Sequence, residues 1–141
     1  MIAALMLLFS AFSVEAQSGM PVYVEANAPD SVGHRLVYAI REGLRRSSAM
    51  TLVDREQDGF ISLKIVTINP DESNTSLRTI YSIVWVTKTL HDTPVPMYLT
   101  NSVGVCGANR VSQCADDLVA DTDNHATFVR GILRSIAEGG N

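Results

Sequence analysis

From Ser31 to Asp54 the apolar positions change from helical spacing to one short continuous run. Val32, Leu36, Ile40 and Leu44, with Val37, Ala39 and Gly43 beside them, make a single stripe on a 3.6-residue helix. Asp30 or Ser31 can cap it, because a short side-chain oxygen accepts from the free N–H groups of a first helical turn. Arg41, Arg45 and Arg46 fall near its C-terminal end, where the helix dipole favours cations. Glu42 and Arg46 stand four apart, a spacing that predicts an ion pair. Met50 to Val53 then reads as a short strand closed by Asp54.

The remaining pattern is mostly of period two. Val22 to Ala26 predicts a first strand, and Asn27 to Asp30 a turn into the helix. The polar stretch Arg55 to Gly59 ends in Asp58-Gly59, a hairpin signal. Phe60 to Ile68 predicts a strand with Ile61, Leu63 and Ile65 on one face and Ser62 and Lys64 on the other. Its phase blurs at Val66-Thr67-Ile68, the mark of a bulge or of an end covered on both sides. Ser76 to Leu90 predicts the longest strand, with Leu77, Thr79, Tyr81, Ile83 and Trp85 on one face, Ile80, Val84 and Val86 on the other, and both faces partly apolar, which places it inside the sheet. His91 to Pro96 is a turn with two prolines. Met97 to Val105 is the last strand, with Gly104 and Gly107 around Cys106 suggesting a bend. Gln113 to Ile136 predicts a long second helix whose stripe is Leu118, His125, Val129, Ile132 and Ile136, with Phe128 and Leu133 beside it. The order β-α-β-β-β-β-α predicts an α/β fold. It is a two-layer sandwich of a mixed, mostly antiparallel sheet with two helices on one face.

The 141-residue length fits one domain, and 46% hydrophobic with 18% charged residues fits a globular one. Part of the first figure comes from Ile2 to Phe12, IAALMLLFSAF, an apolar run too short to span a bilayer. Val14 and Ala16 suit a signal-peptidase site, so residues 1–16 read as a secretory leader and 17–141 as the domain. No Lys or Arg precedes the run, which leaves either the α-amino group to supply its positive end or a true start upstream of Met1. Cys106 and Cys114 meet an oxidising compartment after export, so the expectation is one disulfide. Neither follows the leader as a lipid-accepting cysteine would. A formal net charge of −4 argues against general nucleic-acid binding, which needs a basic surface.

The run YAIREGLRRSSAMTLVDREQDGFISLKIVTI resembles a pattern in bacterial envelope proteins, in which a helix is followed by a strand ending in Val and an acid, then by a long hairpin. It is similar to the N-terminal domain of TolB, to the curli-secretion protein CsgG and to periplasmic activators of peptidoglycan synthases. The resemblance covers Val37 to Ile68. It implies an α/β sandwich that acts by protein–protein contact in the periplasm or outside the cell, and it carries over no functional residue.

Motif chemistry is absent: there is no G-x-S-x-G, H-E-x-x-H, C-x-x-C, Walker loop or G-x-G-x-x-G. No cofactor is therefore assigned. Asp121 and His125 stand four apart on the second helix, too few ligands for a metal site. Two functional readings follow. One is a non-catalytic binding or assembly module of the envelope whose partner is another envelope protein. The other is a small periplasmic hydrolase or metal-dependent enzyme using His34, His91 or His125. For the first, two surfaces compete. Arg41, Arg45 and Arg46 could meet an acidic partner or anionic lipid, or form a solvated face. Met97, Leu99 and Asn101 lie on a strand whose flanking Pro94 and Pro96 place it toward a sheet edge, where a partner strand could pair.

Overall fold

The computed structural model describes residues 19–71, 73, 76–89 and 94–139. Its elements run β1 (Met20–Asn27), α1 (Ser31–Arg46), β2 (Met50–Val53), a 3₁₀ turn (Glu56–Asp58), β3 (Ile61–Ile68), β4 (Arg78–Lys88), β5 (Pro96–Gly107) and α2 (Val111–Gly139). The expected leader, Met1 to Ala16, lies outside the described residues, as do Leu90 and His91.

The sheet is mixed, in the order β2-β1-β3-β4-β5. β1 pairs in parallel with β2 on one side and β3 on the other, and the longer ladders, β3–β4 and β4–β5, are antiparallel. Both helices lie on one face, where Val22, Leu36, Ile40, Leu44, Leu63, Ile83 and Trp85 form the buried core with Leu118 and Val129 of α2.

Asp58-Gly59 does not close a hairpin. β2 and β3 never meet, because β1 lies between them. The 3₁₀ turn instead carries the chain past the start of β1, where the Phe60 N–H donates to the Pro21 carbonyl at 2.9 Å. The anticipated Glu42–Arg46 ion pair is also replaced. The Glu42 carboxylate pairs with Arg45, and Arg46 donates to the Glu42 carbonyl at 3.3 Å.

The blurred phase of β3 has a definite cause, and it is not a bulge: its ladder to β4 runs without a break from Ile61 to Ile68. Ile61, Leu63, Ile65 and Thr67 face the helices and are buried, while Val66 and Ile68 lie on the open face and are half exposed. Thr67 belongs inside because Asp30 is there. Asp30 caps α1, accepting from the Gly33 N–H at 2.7 Å through Oδ1. Its Oδ2 accepts from the Thr67 hydroxyl at 2.6 Å and the Thr79 hydroxyl at 3.0 Å. All three residues are buried. Burial alone would raise the Asp30 pKa, but the bonds from Thr67, Gly33 and Thr79 outweigh it and hold the carboxyl below its ordinary 3.8. Gly33 is required by the same cluster, since a Cβ there would overlap the Thr67 hydroxyl.

The sheet's one register shift lies between β4 and β5. Trp85 pairs with Thr100 and Val86 with Tyr98, so Leu99 is an extra residue. Gly104 and Gly107 make no bend, and β5 runs through both. Gly104 is small because the Tyr81 ring lies against it, filling the place of a side chain.

Asp30→Ala removes the cap and the acceptor of the buried Thr67 hydroxyl, leaving Thr79 to the Ile68 carbonyl at 3.3 Å, and should cost about 2–4 kcal/mol in chemical denaturation. Because the folded pKa is depressed, the contribution of the carboxylate is complete above the unfolded value and is lost as pH falls through the folded one. The advantage of wild type over Asp30→Asn should hold from neutrality to about pH 5 and shrink below about pH 4. Gly33→Ala should destabilise, although alanine is the better helix former by about 1 kcal/mol.

Candidate docking surface

β5 forms one edge of the sheet and carries no charged side chain along its 12 residues. Among the described residues, no backbone hydrogen bond reaches the outer side of Thr100 to Val105, and only the Gly107 carbonyl beyond them accepts one, from the Arg110 N–H at 2.9 Å. Val103 and Val105 project from its open face at 67% and 60% exposure. They continue rows that cross the sheet through the ladders, Val103 beside Ser82 and Val66, and Val105 beside Ile80 and Ile68. Natural edges are usually guarded by charge, proline or a bulge. Here Pro96 and the Leu99 bulge guard only the first part of the strand, leaving Thr100 to Val105 regular.

A second feature adjoins the guarded part. Met97 and Leu99 of β5 and Phe128, Ile132, Leu133 and Ile136 of α2 line an open apolar groove of about 650 Å³. It arises from the way α2 is used. The buried stripe of α2 is Val111, Ala115, Leu118, Thr122, Ala126 and Val129. It differs from the expected stripe, because His125 is only half buried and Phe128, Ile132 and Ile136 are exposed. The anchor of the helix is polar: the Trp85 indole N–H donates to the Thr122 hydroxyl at 3.0 Å, and that hydroxyl donates to the Leu118 carbonyl at 2.7 Å. Past Val129, α2 continues for most of three turns with apolar side chains in view. Asp116 and Asp117 lie one turn inside the helix, which starts at Val111.

Cys106 at the end of β5 and Cys114 in the first turn of α2 are joined, with Cα atoms 6.2 Å apart. The bridge ties the edge strand to the helix that walls the groove.

The arginine face of α1 is largely engaged within the chain. Arg41 donates to the Val24 carbonyl at 3.1 Å, and Arg45 and Arg46 turn back to Glu42. The two described histidines lie apart, and His91 is outside the described residues. His34 is exposed on α1, and His125 packs on Trp85 with ring centroids 5.2 Å apart. Asp121 is exposed, and among the described residues no three His, Cys, Asp or Glu side chains gather as a metal site would need. No described helix is long and apolar enough to cross a membrane.

The groove was hidden in the sequence by its own composition. Phe128, Ile132 and Ile136 fit a core stripe by spacing. The available signal was excess, since α2 holds more apolar positions than one stripe needs. Lys88 and Arg130, at the groove's end, gave no signal at all.

No family profile matches the chain, and no curated protein matches it significantly. Among solved structures it is similar to a minor lipoprotein from Acinetobacter baumannii, with 11% identity over 79% of this chain and 92% of the other and a TM-score of 0.37. It is also similar to the rare lipoprotein B from Shewanella oneidensis, with 11% identity over 84% and 98% of the two chains and a TM-score of 0.32. Likeness at this level carries nothing about binding or activity. Neither protein is one of the TolB, CsgG or synthase-activator proteins whose pattern Val37 to Ile68 resembles.

The two halves of α2 should separate in a stability scan. Leu118→Ala, in the buried half, should cost about 2–4 kcal/mol. Phe128→Ser and Ile136→Ser should each change stability by no more than about 0.5 kcal/mol. A loss at Phe128 as large as at Leu118 would mean that the C-terminal half of α2 is core.

Proposed function

We infer that the chain is an exported binding module of the bacterial envelope, without catalysis of its own, that takes an extended segment of another envelope protein as an added strand along β5. The observation that carries this is the uncharged, outwardly unpaired edge from Thr100 to Val105. Main-chain pairing supplies affinity in such strand addition, and alternate side chains supply selectivity. Val103 and Val105 would select apolar side chains on one face of the incoming strand. The leader-like run Ile2 to Phe12, the joined cysteines and the resemblance of Val37 to Ile68 to envelope proteins support the address. The internal bonds of Arg41, Arg45 and Arg46 weigh against the arginine face as the docking surface.

The test is partner capture from envelope extract by folded variants. Asn101→Pro removes an edge N–H and should abolish capture, while Arg41→Glu with Arg45→Glu should leave it intact, also at raised salt. Capture that survives Asn101→Pro and fails in the arginine variant would transfer the site to α1. Protein recovered from the periplasm should begin at Gln17 and show no free thiol, and retention of Met1 would remove the envelope address.

A further inference from the structure

The groove beside β5 does not stand alone. Leu133 and Lys88 line both it and a neighbouring pocket of about 400 Å³. The neighbour is made by the start of β1 at Gly19 to Pro21, the 3₁₀ turn with Gly59 and Phe60, and Arg130 of α2. The groove is mainly apolar with Lys88 in its lining, and the neighbouring pocket adds a second cation, Arg130.

Neither cation is neutralised within the described residues. Lys88 Nζ donates to the carbonyls of Glu56 at 2.8 Å and Gln57 at 2.7 Å, and Arg130 donates to the Ala49 carbonyl. Neither takes part in an ion pair. Asp58, the acid lining the second pocket, is paired with Arg55 at 2.8 Å. A lysine and an arginine bonded to neutral carbonyls, with no carboxylate paired to either among the described residues, favour an anion beside them.

We propose that the two joined pockets form a binding site for a single-chain anionic amphiphile, a fatty-acyl carboxylate. Its hydrocarbon tail lies between Met97, Leu99 and the Phe128–Ile136 face of α2, and its head lies between Lys88 and Arg130. The combined shape selects this class. A groove of this volume lies inside the range of small-ligand sites, where apolar walls supply affinity and a few polar groups fix orientation. The apolar compartment can shelter methylene groups but offers no acceptors for a peptide backbone along its α2 wall. The two cations share one pocket and the rest of the groove lining holds none, so a ligand charged at one end is matched and one charged along its length is not. The planar guanidinium of Arg130 suits a carboxylate, with which it can form two parallel hydrogen bonds. The site is distinct from strand pairing along Thr100 to Val105, so either can exist without the other.

Calorimetric titration of the purified protein with dodecanoate below its micellar concentration tests the site, with dodecanol and dodecyltrimethylammonium as head-group controls. One dodecanoate should bind per chain, more than about tenfold more tightly than the trimethylammonium compound. Ile132→Glu places a charge in the tail compartment and should abolish binding of both dodecanoate and dodecanol. Lys88→Gln with Arg130→Gln should weaken dodecanoate by more than about tenfold while leaving dodecanol nearly unchanged. The melting temperature of each variant shows that it is folded. The proposal is overturned if no compound binds, if the three heads bind equally, or if Ile132→Glu binds like wild type. It is equally overturned if the chain is a dimer that Ile132→Glu converts to monomer, or if an apolar helical peptide fills the groove and dodecanoate does not. Strand capture by Ile132→Glu should be unaffected, so failure here and failure of the edge are read separately.

Discussion

A single buried carboxylate sets the geometry on which the rest depends. Asp30 leaves β1, caps α1 and accepts hydroxyls from β3 and β4. A buried carboxylate without partners would be severely penalised, so this group demands donors from every element around it. Thr67 and Thr79 occupy core-face positions that apolar residues would otherwise take, and Gly33 gives up its side chain to let them approach. The result pins α1 across β1, β3 and β4. α2 is left to cover the β5 side, held there by the Trp85–Thr122 bond and the Cys106–Cys114 bridge. Its last turns do not close onto the ends of β4 and β5, and that gap is the apolar groove.

The place of β1 has an equally physical consequence. With β2 and β3 on its two sides in parallel, later strands can be added only beyond β3 or beyond β2. Short antiparallel turns add β4 and β5 beyond β3, and β5 ends the sheet. An edge of 12 residues with no charge is weakly guarded against pairing with another chain. The bulge at Leu99 and the proline at 96 interrupt its first part, and the groove lies beside that part. The remaining, regular part faces outward with Val103 and Val105 in view. The two candidate surfaces therefore divide one strand at its bulge.

Much of this architecture is legible in the residues. The α1 stripe, the cap at Asp30, the strand Met50–Val53, the core face of β4 and the edge position of β5 all follow from period and capping chemistry, because burial there is decided locally. What was not legible depends on partners far away in sequence. Asp58-Gly59 has hairpin chemistry, yet β1 had already taken the neighbouring position. Val66 and Ile68 have core composition, yet they lie on the open face, while Thr67 keeps the inward phase of Ile61, Leu63 and Ile65 and donates to a carboxylate 37 residues away. Phe128, Ile132 and Ile136 have core spacing, yet they stay exposed across a groove from Met97 and Leu99. Lys88 and Arg130 meet at the groove only through the tertiary fold.

Amide hydrogen exchange along β5 addresses the central claim, that this edge is open and awaits a strand, most directly. In the isolated protein, exchange from Thr100 to Cys106 should alternate: amides bonded to β4 slow, those between them fast. Addition of the captured partner should slow the fast set and leave the slow set unchanged. Uniform protection of the whole strand in the isolated protein would show that the edge is already covered, and would contradict the account.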